Sequence, residues 1–268
     1  MSARLYMAEF LIRTSRYFLR IGEFLKTLTV AVLSPADMAE WARKRYNRHS
    51  TLFNEENDPN QGLTDDERVL WEHAPSMVPA RMLILGGGGG REAIFFGSNG
   101  WKVTALDISE GMLEQASSAA GSCGLDLKTV QGDLATFDSS AGSFEAVWTS
   151  MFLYSLVLGR ACRVAMLRRI QRMLTPGGWF IVSFHFDSQI SMHSKADQIR
   201  KLIARMTFGN VEYQKGDILF GTIEFRHVFS SESELRDEFT EAGFKILNFF
   251  IFNGLMRGGA VLSVQNEC

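Results

Sequence analysis

The sequence predicts an α/β fold, in which an open and mostly parallel sheet carries helices on its faces. A short apolar run, Met82–Leu85, passes directly into five glycines, Gly86–Gly90. A helical pattern begins at Arg91, and a second apolar run, Val103–Leu106, follows and ends on Asp107. This order of strand, glycine loop, helix, strand and acid is that of the first half of a Rossmann-like nucleotide-binding unit.

The glycines and the acid have separate roles in this prediction. A loop that leaves a buried strand for a helix must turn sharply and let a ligand approach the backbone, and glycine does both at low cost. An acid at the end of the next strand accepts hydrogen bonds from ribose hydroxyls. The segment therefore predicts a site for an adenosine-containing cofactor. The alternative is a flexible loop followed by a helix-capping Asp107.

The spacing of the glycines distinguishes between cofactors. The fingerprint of dinucleotide-binding sites is G-x-G-x-x-G. If it starts at Gly86, its third glycine falls on Arg91, and if it starts at Gly87, its third glycine falls on Glu92. The pattern that fits is G-x-G-x-G, on Gly86, Gly88 and Gly90. This pattern resembles motif I of the class I S-adenosylmethionine-dependent methyltransferases.

Three later segments extend the resemblance to roughly residues 80–268. Val130–Leu134 is similar to the family's segment in which an Asp meets the adenine amino group. Phe144–Ser150 is similar to the fourth strand, and Arg168–Ser183 to the helix, L-x-P-G-G turn and fifth strand. The resemblance implies a Rossmann-like sheet of seven strands, mostly parallel with an antiparallel last strand. It also implies S-adenosylmethionine as the cofactor and S-adenosylhomocysteine as its product.

The resemblance further implies a set of cofactor-binding residues in this chain. They are Gly86, Gly87, Gly88, Gly90, Asp107, Ile108, Asp133, Leu134 and Ser150. One departure concerns Ile84, which stands where the family often has an acid that orders the glycine loop and binds the cofactor's amino group. Backbone carbonyls made accessible by the extra glycines Gly87 and Gly89 are the expected substitute.

Candidate catalytic residues lie after strands, because open α/β sheets bind ligands at the carboxyl ends of their strands. Tyr154 follows the fourth strand, His185 follows the fifth, and His227 follows an insertion at about residues 188–222. Each is a candidate general base, and each has a structural alternative as a packing or strand-end residue. No metal and no enzyme nucleophile are predicted, since a sulfonium methyl group is already activated and a base matters only for a protonated acceptor.

The first 78 residues are predicted to form a helical lid over a core domain at residues 79–268. Apolar residues from Leu5 to Leu28 recur at near-helical spacing, interrupted by basic residues. We expect this helix to pack its apolar stripe on the core domain or on a second subunit, which makes a homodimer possible. The alternative is a basic amphipathic helix on an anionic membrane. No stable membrane insertion is expected, because no uncharged run approaches the roughly 20 residues of a span.

Two further helix starts are predicted in the lid. Ser34 has the position of an N-cap, and Thr64 together with Glu67 has the spacing of a capping box. In the family, helices before motif I often fold over the cofactor and build the acceptor pocket. By that resemblance Tyr46 and His49 are candidate pocket residues.

Charge and cysteine usage limit the functional classes. The net charge of −2 gives no basic field for nucleic acid. The three cysteines show neither metal-ligand nor disulfide spacing, which favours the reducing cytoplasm. The predicted function is methyl transfer from S-adenosylmethionine to a small organic acceptor by in-line displacement. Alternatives are a cyclising enzyme or lyase that releases methylthioadenosine from the same cofactor, a non-catalytic binding module, and a nicotinamide oxidoreductase.

Overall fold

The computed structural model describes residues 3–56, 61–189, 194–220, 224–252 and 256–264. Its strands are β1 (Arg81–Leu85), β2 (Lys102–Asp107), β3 (Lys128–Gln131), β4 (Phe144–Thr149), β5 (Leu174–His185), β6 (Asp217–Phe220), β7 (Glu224–His227), β8 (Phe244–Phe252) and β9 (Arg257–Val264). Seven of them form one sheet with the order β3-β2-β1-β4-β5-β9-β8. The predicted seven-stranded sheet is confirmed.

The pairing within this sheet is parallel from β3 to β5. The last strand of the chain, β9, runs antiparallel to both of its neighbours, β5 and β8, as the sequence predicts. Chain order reverses between β1 and β4, so the carboxyl ends of these two strands border the crevice where open α/β sheets bind ligands. The insertion forms a separate antiparallel pair, β6 and β7.

The helices are α1 (Ala3–Val32), α2 (Pro35–Glu56), α3 (Asp65–Glu72), α4 (Arg91–Ser98), α5 (Glu110–Ser122), α6 (Arg160–Met173), α7 (Ser194–Thr207) and α8 (Glu232–Glu241). Both predicted caps in the N-terminal segment are present. The Ser34 hydroxyl accepts a hydrogen bond from the Asp37 N–H at 3.2 Å, at the start of α2. At the start of α3, Thr64 and Glu67 form the reciprocal capping box.

The central strands β1, β4 and β5 are buried on both faces because they contain nearly continuous apolar runs. Alternate residues of β1 and β4 point to opposite sides. Leu83 and Val147 contribute to the apolar cluster on one side. Ile84 and Trp148 contribute to the cluster on the other side, where they join Leu70 of α3. Helix α3 is therefore part of the core, although it precedes the first strand in the chain.

Helix α1 does not pack its apolar stripe on the core domain. Only its C-terminal end, at Val30 and Ala31, is buried, where it contacts α7 and β6. Leu28 is half-buried, and the exposed large apolar side chains of α1 are Leu5, Tyr6, Met7, Phe10, Leu11, Ile12, Tyr17, Phe18, Leu19, Ile21, Phe24, Leu25 and Val32. The second-subunit and membrane-surface alternatives therefore stay open for this helix. Across the described ranges, every helix is too short or too polar to cross a bilayer.

Candidate functional site

The glycine loop leaves β1 at the switch point of the sheet. Backbone φ angles are positive at Gly86 (+74°), Gly88 (+49°) and Gly90 (+94°), the three glycines of the predicted G-x-G-x-G pattern. Residues with a Cβ rarely adopt such angles, so the loop conformation itself requires glycine here. Helix α4 begins directly afterwards, at Arg91, as the helical pattern predicts.

Asp107 at the end of β2 holds this loop in place. Its Oδ2 accepts a hydrogen bond from the Gly88 N–H at 3.0 Å, and its Oδ1 accepts one from the Ser109 N–H at 2.9 Å. Burial raises the pKa of Asp107, against the lowering effect of these backbone donors. Ile108 is half-buried beside it. The carboxylate is therefore a preoriented acceptor next to the loop, where the sequence predicts a ribose.

The segment after β3 lies beside the end of β2. The Gly132 N–H donates to the main-chain oxygen of Asp107 at 2.9 Å. The next residue, Asp133, is half-buried, and its Oδ1 accepts a hydrogen bond from the Ala135 N–H at 2.8 Å. Leu134 packs against the core. The structure thus brings the predicted adenine-binding segment next to the predicted ribose-binding carboxylate.

Ser150 lies where β4 ends, against the start of the glycine loop. Its N–H donates to the Leu85 carbonyl at 3.0 Å, and the residue is only 4% exposed. Within the described residues its hydroxyl has no partner at hydrogen-bond geometry. It faces Glu92 closely enough to lower that carboxyl's pKa. A buried hydroxyl without a partner at this position fits a polar ligand, and the sequence likewise predicts that Ser150 binds the cofactor.

Glu92 is an acid that the sequence does not predict as part of the site. It lies 4% exposed at the start of α4, and burial raises its pKa to about 7 despite the attraction of Arg91. Arg91 also binds Glu67 of α3 through two hydrogen bonds, at 2.7 and 2.8 Å. This cluster joins one buried cation to two buried carboxyl groups. The signal for it in the sequence is a charged pair directly after the glycines, in an otherwise apolar helix.

Tyr154, the first candidate base, lies in the core. The side chain is fully buried and stacks on Phe229 with ring centroids 5.7 Å apart. Its hydroxyl donates to Glu238, and burial together with that carboxylate raises the pKa of Tyr154 well above its ordinary value. This environment favours the packing alternative, because the hydroxyl is committed to Glu238 and is shielded from solvent.

His227 is also fully buried. One ring nitrogen, Nδ1, lies 2.7 Å from Asp217 Oδ1, and the other, Nε2, lies 3.3 Å from Glu234 Oε1. Burial by itself would lower the pKa of His227, but the hydrogen bonds to the two carboxylates outweigh it and raise the pKa. Both nitrogens are thus occupied by residues of the insertion and α8, which favours the structural alternative here as well.

His185 occupies the end of β5 and is half-buried. Its ring lies 4.8 Å from that of Phe152, which follows β4, and its Nε2 accepts a hydrogen bond from Arg226 Nη1 at 2.8 Å. Burial, followed by the Arg226 charge, lowers the pKa of His185 to about 4. The imidazole is therefore neutral near pH 7, as a general base must be.

A chain of hydrogen bonds connects His185 to the lid. Arg226 donates from Nε to Glu224 Oε2 at 2.8 Å, and the Tyr46 hydroxyl of α2 donates to Glu224 Oε1. Burial and Glu224 raise the pKa of Tyr46, and the nearby Asp107 carboxylate adds to this effect. Helix α2, strand β7, strand β5 and the glycine loop therefore meet at one place. The side chain of His49, the other pocket candidate, lies outside the described residues.

Glu224 and Arg226 are site residues that the sequence prediction missed. Their signal is the alternation along β7, where Glu224 and Arg226 share one face of the strand and Phe225 and His227 share the other. Buried Phe225 packs against Trp41 of α2, with ring centroids 5.5 Å apart, and Glu224 binds Tyr46 of the same helix, so both faces of β7 contact α2.

Residues 82–178 match the family model described as a methyltransferase domain. This span runs from β1 to the turn at the start of β5 and includes the glycine loop, Asp107, Asp133 and Ser150. The matched span has the class I, Rossmann-like methyltransferase fold. No curated protein matches the chain.

Solved structures resemble this chain over most of its length. An S-adenosylmethionine-dependent methyltransferase from Methanosarcina mazei is 20% identical with a TM-score of 0.58, covering 77% of this chain and 100% of its own. The CcbJ methyltransferase from Streptomyces caelestis is 17% identical with a TM-score of 0.60, covering 82% and 98%. The [4+2]-cyclase SpnF is 13% identical with a TM-score of 0.59, covering 87% and 97%. These similarities confirm the fold, and the first description agrees with the predicted cofactor.

Proposed function

We propose that this protein is a methyltransferase that transfers the methyl group of S-adenosylmethionine to a small organic acceptor, with S-adenosylhomocysteine as the second product. The observation that carries the proposal is the meeting of Asp107, Ser150 and the glycine loop at the switch point of the sheet, with Tyr46 beside Asp107. A cofactor site and a neighbouring enclosed polar site are what a methyl transfer between two small molecules requires.

The residues present fit the cofactor. The Asp107 carboxylate is proposed to accept hydrogen bonds from the ribose hydroxyls. Ile108, Asp133 and Leu134 are proposed to contact the adenine. The unpartnered Ser150 hydroxyl and the buried Glu92 carboxyl next to it are proposed to face the methionine end of the cofactor. Glu92 would then supply the negative charge that Ile84 cannot provide.

Bound S-adenosylmethionine supplies a methyl group that is already activated by its sulfonium charge. The protein has to align the acceptor and exclude water, and alignment contributes up to roughly 7–11 kcal/mol. His185 is proposed to take a proton from a hydroxyl, amine or thiol acceptor, which adds about 10²–10⁴-fold. Because Arg226 donates to Nε2 in this structure, that step requires Arg226 to release the imidazole while its bonds to Glu224 keep it anchored.

The segment at residues 1–78 is proposed to act as a lid through α2. The Ser109 hydroxyl donates to Asn47 Oδ1 at 2.7 Å, and Tyr46 binds Glu224 of the insertion. Helix α2 therefore contacts the cofactor side and the proposed acceptor side at once. Such a lid excludes water from the reacting carbon.

Two experiments test the proposed function. Titration calorimetry should show binding of S-adenosylmethionine and S-adenosylhomocysteine in the micromolar range, and tighter binding of NAD would contradict the proposal. Incubation with methyl-labelled cofactor and a panel of small hydroxyl, amine and thiol compounds should then transfer the label. The similarity to a cyclase makes the acceptor-free control important, since rapid release of methylthioadenosine without acceptor would instead support the lyase or cyclising alternative.

A further inference from the structure

Helix α1 presents a wide apolar face to solvent. We define this face as Met7, Phe10, Leu11, Tyr17, Phe18, Ile21, Phe24 and Leu25. These residues recur at steps of three, four and seven, which places them on one side of a helix. Phe10 is 67% exposed, and Tyr17 and Phe18 are each 64% exposed. A contiguous apolar face of this size on a surface marks an interaction site rather than ordinary surface variation.

Basic residues border this face, and the acids lie away from it. Arg4 lies at one edge of it, and Arg13 and Arg20 lie near the other, whereas Glu9 and Glu23 lie on the opposite side of the helix, by the 100° rotation per residue. Lys26 pairs with Glu23 at 2.7 Å, on that opposite side. The apolar face is therefore edged by arginine and not by carboxylate.

Helix α7, which packs against α1, repeats this arrangement. Ile199, Leu202 and Met206 form an apolar stripe and are 56%, 58% and 72% exposed, and Phe208 just beyond the helix is 86% exposed. The two helices are held together where the Asn210 N–H donates to the Ala31 carbonyl at 3.1 Å. Both apolar stripes therefore belong to one unit of the fold.

The charge of the chain is segregated onto these two helices. Nine of its 28 Lys and Arg lie in α1 and α7, but only three of its 30 Asp and Glu do. The rest of the chain is consequently acidic, although the whole has a net charge of only −2. This separation gives the apolar surface a local positive field that the net charge conceals.

We propose that α1 and α7 dock the protein on an anionic lipid bilayer, with α1 lying in the plane of the interface. Aromatic and aliphatic side chains on one face with arginine along its border are the features of interfacial helices. Each arginine near an anionic surface strengthens such binding. A second copy of this chain is the less favourable occupant, because two α1 faces brought together would juxtapose the same arginines without acids to pair them. Docking does not depend on the proposed catalytic function.

The test is co-sedimentation of the full-length protein with phosphatidylcholine vesicles, with and without about one third phosphatidylglycerol. The protein is expected to bind the anionic vesicles and to bind the neutral vesicles much more weakly. Its binding to the anionic vesicles should decrease at high salt. Joint replacement of Phe10→Ser, Phe18→Ser and Phe24→Ser should weaken binding at least about ten-fold. Joint replacement of Arg4→Glu, Arg13→Glu and Arg20→Glu should do the same.

Matched control variants separate docking from general surface effects. Val78→Ser changes an 85% exposed apolar residue outside both helices. Joint replacement of Lys128, Arg168 and Arg172 by Glu makes the same change in charge at exposed positions of the core domain. Both controls should bind vesicles as the parent does, and unchanged circular dichroism and thermal unfolding would show that all variants fold.

Two outcomes would overturn the proposal. One is equal binding by the parent protein and both α1 variants, or no binding to anionic vesicles at low salt. The other is a stable dimer by light scattering that the three Phe→Ser changes convert to monomer while vesicle binding is absent. That second outcome would assign the α1 face to another copy of this chain.

Discussion

Arg91 and Glu67 form a buried two-pronged ion pair that joins α3 to the helix after the glycine loop. The Arg91 Nη1 lies 2.7 Å from Glu67 Oε2, and Nη2 lies 2.8 Å from Glu67 Oε1. Arg91 also donates to the Gly62 carbonyl at 2.5 Å. Since helix α4 begins at Arg91, this pair links the residues before β1 to the position of the cofactor loop.

Glu67→Gln is therefore expected to destabilise the fold by about 3–5 kcal/mol, the loss typical when one partner of a buried pair is removed. Glutamine keeps an oxygen for the Thr64 cap, so the change tests the ion pair and not the helix start. Urea unfolding measures the effect. Glu145→Gln is the control, because its partner Arg81 has a half-exposed side chain, and such pairs contribute under about 1 kcal/mol. Equal losses of the free energy of unfolding in Glu67→Gln and Glu145→Gln would contradict the prediction.

Glu92 is expected to make stability depend on pH. Its pKa is raised from 4.5 to about 7 in the fold, so the folded protein holds this proton more tightly than the unfolded chain. The contribution of protonated Glu92 to the free energy of unfolding is fully present below about pH 4.5 and is lost as the pH rises through about 7. Glu92→Gln stays neutral. The free energy of unfolding of Glu92→Gln, minus that of the parent, should therefore be on the order of 3 kcal/mol larger at about pH 8 than at about pH 5.

Urea unfolding at the two pH values measures this difference. The exposed Glu114→Gln is the control of the same chemistry. A difference between parent and Glu92→Gln that is the same at both pH values would show that Glu92 is ionised throughout.

Asp107→Ala is expected to weaken binding of S-adenosylmethionine by about 1.5–3 kcal/mol, the loss of a charged acceptor for ribose hydroxyls. The variant should also be less stable, because the N–H groups of Gly88 and Ser109 lose their acceptor. Calorimetry gives the affinity and thermal unfolding the stability. The control Asp138→Ala removes an exposed carboxylate that pairs with Arg172, and it should change neither the cofactor affinity nor the thermal stability. Full affinity in Asp107→Ala would leave this residue only its loop-ordering role.

His185→Ala is expected to lower kcat by about 10²–10⁴-fold, the range for loss of a general base. Because the pKa of His185 is lowered to about 4, the parent should show no loss of activity near the ordinary histidine pKa of 6.5. Rate profiles from about pH 5 to about pH 8 test both points. The exposed His73→Ala is the control. A parent profile with a midpoint near pH 6.5, or an unchanged kcat in the variant, would remove His185 from the role of base.

Tyr46→Phe is expected to lower turnover about ten-fold or more, since it removes a hydrogen bond to the charged Glu224 and with it the link between lid and insertion. Affinity for S-adenosylmethionine should be unchanged, because the cofactor residues lie in the core domain. Steady-state kinetics and calorimetry separate the two quantities. Tyr6→Phe, at a 63% exposed position of α1, is the matched control. Equal turnover in both variants would contradict the lid proposal.

The sequence alone determined the fold and the conformation of the glycine loop, because these depend on local patterns. The glycines at 86, 88 and 90 stand where the backbone needs positive φ, and Asp107 ends a strand beside them. Because strands alternate with helices along the chain, those strands run parallel, and their carboxyl ends lie at one edge of the sheet. The seven-stranded, mostly parallel sheet with an antiparallel last strand follows from the family resemblance and is confirmed.

Only the tertiary structure decided the environment of the candidate bases. Tyr154 follows a strand, and His185 and His227 each end one, yet Tyr154 is committed to Glu238, 84 residues away, and His227 to Asp217. Likewise, Tyr46 meets Glu224 across 178 residues. A strand-end position restricts where a side chain lies, but its burial and partners come from elements distant in the chain. For the same reason, amphipathic spacing predicts that α1 has an apolar face, while only packing shows that the core leaves that face exposed.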